Sequence, residues 1–132
     1  MKGLVIDAPW IDYILAGDKI WEMRSKACHH RGRIGLIRKG SAQVVGLADI
    51  DGSKPAIETL EKYAEAEPFH RIPPSRQREA FEQGWRVPWY IPNARPLPRP
   101  VPYDHPSGAV TWVNLEADVV EAILAQPTDL PG

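Results

Sequence analysis

The sequence predicts an α+β fold, a small mixed β-barrel decorated with helices, and three observations predict it. Short β-branched runs read as strands: GLVI at 3–6, RIGLIR and QVVGLADI within 33–50, and AVTWVNL at 109–115. Segments with helical spacing interrupt them, so the chain alternates between the two periods. Gly35 and Gly46 lie inside the arms of the clearest hairpin. There they imply bends or a close backbone approach, which a tightly curved small barrel needs. An open α+β sandwich is the runner-up.

The elements follow in order. After the strand at 3–6, a helix is predicted from Trp10 to Ala16, because Ile11, Ile14 and Leu15 form an i, i+3, i+4 apolar stripe. Pro9 sits near its start, and Gly17 is placed to take the left-handed cap. KIWEMR (19–24) alternates Ile20, Glu22 and Arg24 against Lys19, Trp21 and Met23, as a short strand or extended loop would. The hairpin 33–50 turns through KGSA. Ser53 and Pro55 read as N-cap and early helix, leading into AIETLEKYAEAE with Ile57, Leu60 and Ala64 on one face. Pro73 and Pro74 break the chain before a second short helix after Ser75, ending near Gly84.

Residues 85–106 contain seven prolines. Proline lacks the ladder donor, so this stretch is expected to be an extended loop or edge segment wrapping the domain, not an interior strand. A strand at 109–115 and an amphipathic helix at 117–125 close the prediction. A chain of 132 residues with no internal repeat is expected to form a single domain, 1–132.

Hydrophobic residues make up 43% and charged residues 25%, which excludes a disordered tail. No apolar run reaches the roughly 18 residues of a membrane span, and the opening MKGLVIDAPW meets Pro9 and charge too early for a signal peptide. The single cysteine, Cys28, has no partner for an internal disulfide, so a cytoplasmic setting is expected. Cys28, His29 and His30 are consecutive, which is poor ligand geometry. With His70 and His105 far along the chain, neither metal nor another cofactor is expected.

The net charge of −1 hides a local asymmetry. Between Lys19 and Lys39 seven basic residues face a single acid, Glu22, for a local +6. A basic face is compatible with a polyanionic ligand, or simply with a solvated surface.

Residues 9–36 carry the chemistry. Pro9 and Trp10 open a helix; Gly17, Lys19, Glu22 and Arg24 follow as Gly-x-Lys-x-x-Glu-x-Arg; His30, Arg31, Gly32 and Arg33 lead into a strand. With VVGLADI and the PYDHPSGAVTWVNL region downstream, this ordered set resembles the ASCH domain of the PUA-like superfamily. The resemblance covers about the first fifty residues well and the last thirty loosely; residues 53–85 match nothing. It implies a five- or six-stranded β-barrel with a cleft beside the first helix for RNA or a nucleotide. It also implies a spread of activities, from nucleic-acid binding to ribonuclease activity and deacetylation of a modified cytidine, because fold does not fix function. The deacetylating members use a lysine and a threonine of the motif and a distant glutamate. Here Glu22 stands in the threonine's place, so that hydroxyl is missing, and Glu67 of EKYAEAE stands near the glutamate's place.

The residues themselves leave alternatives open. Glu22 and Arg24 share a strand face if extended, and a carboxylate beside a guanidinium can orient a base edge or hold a phosphate. Lys19 can contact phosphate or, once desolvated, act as a base or nucleophile. The same three groups can equally be a surface ion cluster of little consequence. Arg31 and Arg33 flank Gly32 and either contact a phosphate backbone or point to water. Trp10 and Trp21 either stack on a base or pack the first helix on the sheet, and Trp112 reads as core.

The leading expectation is therefore an RNA- or nucleotide-binding domain. Its contacts are Trp10, Lys19, Glu22, Arg24, Arg31 and Arg33. The alternative is a small hydrolase acting on RNA or an acylated cytidine nucleoside, with Lys19 and Glu22 catalytic. A protein partner docking on the proline-rich segment is the weaker third reading, and no membrane partner is expected.

Overall fold

In a computed structural model that describes residues 1–127, the elements run β1 (Lys2–Ile6), α1 (Trp10–Leu15), β2 (Trp21–Arg24), β3 (Arg31–Arg38), β4 (Gln43–Asp51), α2 (Leu60–Glu65), α3 (Glu67–His70), α4 (Pro74–Glu82), β5 (Val87–Tyr90), β6 (Arg95–Pro102), β7 (Trp112–Asn114) and α5 (Ala117–Leu124). The remainder of the expected domain 1–132, residues 128–132, lies outside the described residues.

Strand periodicity builds the layers. Leu4 and Ile6 of β1 and Ile34 and Leu36 of β3 bury on one face of the sheet; Val5 and Ile37 bury on the other. Ile11 and Ile14 of α1 cover the first face, and Val119 and Ile123 of α5 cover the second. Central strands sandwiched this way need apolar residues on both sides, which is why GLVI and RIGLIR read as continuous runs. Each fully buried Leu or Ile side chain contributes on the order of 2 kcal/mol.

The main sheet has five strands in the order β6–β4–β3–β1–β7. β1 and β3 pair in parallel, with Leu4 opposite Leu36, so α1 and β2 form the crossover between them. β3 and β4 form the predicted hairpin, with Gly40 in its turn at a positive φ of 83°. A separate two-stranded sheet pairs β2 with β5, Glu22 opposite Trp89. The α+β class with a sheet-rich core holds. The pairing among the described residues leaves two sheets and no closed ring, so the expected barrel is present only as this open arrangement. No helix among the described residues is long and apolar enough to cross a membrane.

Two local expectations are corrected. Ser53 does not cap a helix: its Oγ accepts from the Cys28 amide at 3.0 Å, and it forms an isolated bridge with Trp89. The chain then stays extended beside β5, with the Lys54 and Ile57 amides donating to the carbonyls of Pro88 and Arg86. Thr59 supplies the cap instead, accepting from the Lys62 amide at 3.1 Å. The buried face of α2 is therefore Tyr63, while Ala64 is exposed. The proline-rich segment keeps to an edge, as its missing donors require. It contains β5 and β6, and β6 is an edge strand that buries Leu97 and Val101 while alternating proline at 96, 98, 100 and 102.

Candidate functional site

Gly17, at a φ of +83°, ends α1, and the amides of Asp18 and Lys19 both return to the Tyr13 carbonyl. This tight reversal sends β2 back under α1. Alternation along β2 then puts Glu22 and Arg24 on one face. Opposite them lies the helical region 60–82. It is tied to the start of β2 by the Ile20 amide, which donates to the Phe69 carbonyl at 3.1 Å, and by the Lys19 ammonium, which donates to the His70 carbonyl.

Between these parts opens a cleft of about 350 Å³. Lys19, Glu22 and Arg24 line its floor together with Met23 and Ile72, and Trp10 of α1 forms a wall. Lys19 is only 1% exposed and Glu22 6%. The Lys19 Nζ lies 3.9 Å from Glu22 Oε1, and Arg24 Nη2 donates to Glu22 Oε2 at 3.0 Å and to the Val5 carbonyl at 2.8 Å. Ammonium, carboxylate and guanidinium thus meet at the bottom of one hollow, with the carboxylate between two cations.

Burial dominates the electrostatics. It pushes the Lys19 ammonium down to a pKa of about 8; Glu22 opposes this shift and the Arg24 charge adds to it. The Tyr63 phenol is pushed up by burial and then by the Glu22 charge. Its hydroxyl donates to the Trp85 carbonyl at 2.7 Å and fixes that tryptophan at the cleft mouth.

His70 holds the other side of Lys19. Its Nε2 donates to the Tyr63 carbonyl at 2.7 Å, and its Nδ1 accepts from the Ile72 amide at 2.9 Å, which defines a neutral ring. Burial lowers its pKa, the Lys19 charge lowers it further, and the Tyr63 carbonyl opposes them. A histidine with a lowered folded pKa binds fewer protons than the unfolded chain, so its contribution to stability is lost as pH falls through about 6.5, the unfolded value. Urea unfolding midpoints are therefore expected to drop from pH 7.5 to pH 5.5, and His70→Gln is expected to flatten that dependence. Equal slopes in the two proteins would reject the assignment.

The remaining expected contacts lie elsewhere. Arg31 and Arg33 do not line the cleft. They sit opposite Asp51 and Asp49 across the β3–β4 ladder, with Nε–Oδ1 distances of 2.9 and 3.1 Å. Trp21 lies on the other face of β2 against Phe69, with ring centroids 4.7 Å apart. Trp112 stacks on Trp89 at the edge of the core, and Glu67 opens α3 away from the cleft lining. Cys28 is buried, and His30 packs edge-on to Trp112. Among the described residues no group of three or more His, Cys, Asp and Glu is arranged to hold a metal.

Sequence reasoning missed a whole wall of the cleft. Arg76, Glu79, Ala80 and Gln83 line it along one stripe of α4 at i, i+3, i+4 and i+7. That stripe is mostly polar, so no hydrophobic period marks it. Lys39, Asp7 and Trp85 complete the mouth, and Trp85 is 40% exposed. The Arg76 guanidinium lies 5.6 Å and the Lys19 ammonium 5.3 Å from the Trp10 ring centroid. Trp10 is thus already engaged by cations and partly buried against the core, and it serves as a wall.

Comparison with solved structures places this architecture. The crystal structure of an ASCH protein from Zymomonas mobilis aligns with a TM-score of 0.70 at 13% identity, covering 96% of this chain and 95% of that one. Two single-residue variants of the Zymomonas mobilis protein, a tyrosine-to-phenylalanine and a serine-to-alanine replacement, align with TM-scores of 0.68 and 0.64, again at 13% identity. They cover 96% of this chain, and 98% and 96% of their own chains respectively. No curated protein matches the sequence. The family model of the ASCH domain matches residues 4–114, a span from β1 through β7 that includes every residue of the cleft floor, and the chain therefore belongs to the ASCH domain family.

Proposed function

We propose that this ASCH domain, taken as one unit over residues 1–132, binds RNA or a nucleotide in the cleft beside α1. The observation that carries the reading is the buried Lys19–Glu22–Arg24 set at the floor of a cleft of about 350 Å³. Burying three charged groups side by side is costly and contributes little net stability, so their retention in a hollow favours a binding role. The volume lies near the lower end of the roughly 300–1,000 Å³ of small-molecule sites, which suits one nucleotide unit and not a long strand. Glu22 offers the acceptor for a base edge, Arg24 holds that carboxylate in place, and Trp10 forms the apolar wall. Arg31 and Arg33 are set aside, because each guanidinium already faces a carboxylate outside the cleft. The single buried cysteine supports a cytoplasmic setting.

The test is binding of short single-stranded RNA and of ribonucleotides by calorimetry, with salt titration. RNA affinity is expected to fall as salt rises. Tight binding that ignores salt and survives changes at the cleft floor would reject this surface.

One observation favours a second reading, hydrolysis of RNA or of an acylated cytidine. Lys19 has a pKa of about 8, so a useful fraction is a neutral amine near physiological pH. Product formation that rises with pH through about 8 and is lost in Lys19→Met would establish it. Absence of turnover on both substrates leaves binding as the function.

A further inference from the structure

We infer that the ligand of the cleft is a phosphorylated nucleoside, its base on the buried floor and its phosphate at the mouth between Arg76 and Lys39. The inference rests on the binding reading above and adds the ligand's class and orientation.

The floor cannot receive the phosphate. Lys19 is committed to the His70 carbonyl and faces Glu22, while Arg24 is committed to Glu22 and to the Val5 carbonyl. A dianion brought there would lose its hydration beside a buried carboxylate, which is strongly unfavourable. A neutral base edge carries no such cost and gains Glu22 as an acceptor for its amino or imino protons.

The mouth differs. Of the four cations lining the cleft, Lys19 and Arg24 carry a carboxylate partner, whereas Lys39 and Arg76 carry none among the described residues. Both are exposed, so an anion between them keeps part of its water. The acids sharing the mouth are already engaged: Asp7 accepts from the Ala8 amide at 2.9 Å, and Glu79 accepts from the Gln83 side chain at 3.3 Å. Both keep their charge and repel a polyanion running past the opening, so a single phosphate is held there only by direct contact with Arg76 and Lys39. Arg76 comes from α4, so the phosphate contact is supplied by the helical wall of the cleft and not by β2.

The experiment compares the common ribonucleosides, their 3′- and 5′-monophosphates, and inorganic phosphate by calorimetry on wild-type protein and on Arg76→Gln. A monophosphate is expected to bind at least about 10-fold more tightly than its nucleoside, as a charge-assisted contact warrants. Arg76→Gln should bring that ratio close to one, with thermal unfolding near wild type because Arg76 is exposed. Equal wild-type affinities for nucleoside and monophosphate would overturn this orientation and leave the binding reading standing. Inorganic phosphate binding as tightly as the monophosphate would overturn it too, by showing a bare anion site. If neither nucleosides nor nucleotides bind, the binding reading falls with it.

Discussion

Arg24→Ala is expected to weaken ribonucleotide binding by about 100-fold and to destabilise the fold by about 3 kcal/mol. Two separate losses produce these effects. The binding loss comes from removing the guanidinium that holds the Glu22 carboxylate in place to receive the base at the cleft floor, where desolvation strengthens each contact. The stability loss comes from what is left behind. Glu22 keeps its burial but retains only Lys19, at 3.9 Å, and the Val5 carbonyl loses its donor at 2.8 Å. The guanidinium also lies 5.4 Å from the Trp89 ring, so packing is lost with the charge. Calorimetry and urea denaturation read the two effects independently. Pairing Arg24→Ala with Glu22→Gln should recover part of the stability but not binding, because the stranded carboxylate is gone, Lys19 keeps the His70 carbonyl, and the recognition groups are lost. Unchanged affinity in Arg24→Ala would remove the cleft floor from the binding surface.

The second large effect is expected at Gly46, where Gly46→Ala should cost about 3 kcal/mol, the upper end of what overpacking does. A Cβ at this position would collide with the Leu15 side chain and would sit 2.8 Å from the Arg95 carbonyl oxygen. A side-chain tip can rotate aside, but a backbone oxygen cannot move without its strand. The bulge between Val44 and Gly46 in the β4–β6 pairing shows how closely the edge strand is fitted here. Gly3→Ala is the comparison, because its Cβ would meet chiefly the end of the Ile37 side chain, and it should cost about 1 kcal/mol. Equal urea midpoints for the two variants would show that α1 and β6 yield at Gly46. Displacing Leu15 also displaces α1 and the Trp10 wall, so Gly46→Ala should weaken ligand binding from a distance.

These residues show how much of the molecule local pattern can reveal. The hairpin, α1 and the shared face of Glu22 and Arg24 were legible because each follows from a period of 2 or 3.6 within one short segment. The fate of Arg31 and Arg33 was not readable from the turn. The register at the turn, Arg38 opposite Gln43, would set them against Ile50 and Ala48, and the bulge between Leu36 and Ile37 shifts them onto Asp51 and Asp49. What else stayed hidden depends on distant chain. Ser53 followed by Pro55 has the composition of a helix start, but the Cys28 backbone takes its hydroxyl. The partner that buries the Lys19 ammonium is a backbone carbonyl at position 70, which no side-chain motif encodes. The α4 wall is polar along its stripe and looks like any solvated helix until the sheet is placed opposite it.

The proline strand at the border of the main sheet has a bearing on how the molecule behaves in a crowded solution. Every second residue of β6 lacks an amide hydrogen, so a neighbouring copy that tried to extend the sheet would find carbonyls to donate to and few donors in return. In its folded place the proline alternation is therefore expected to disfavour edge-to-edge pairing between copies of this chain.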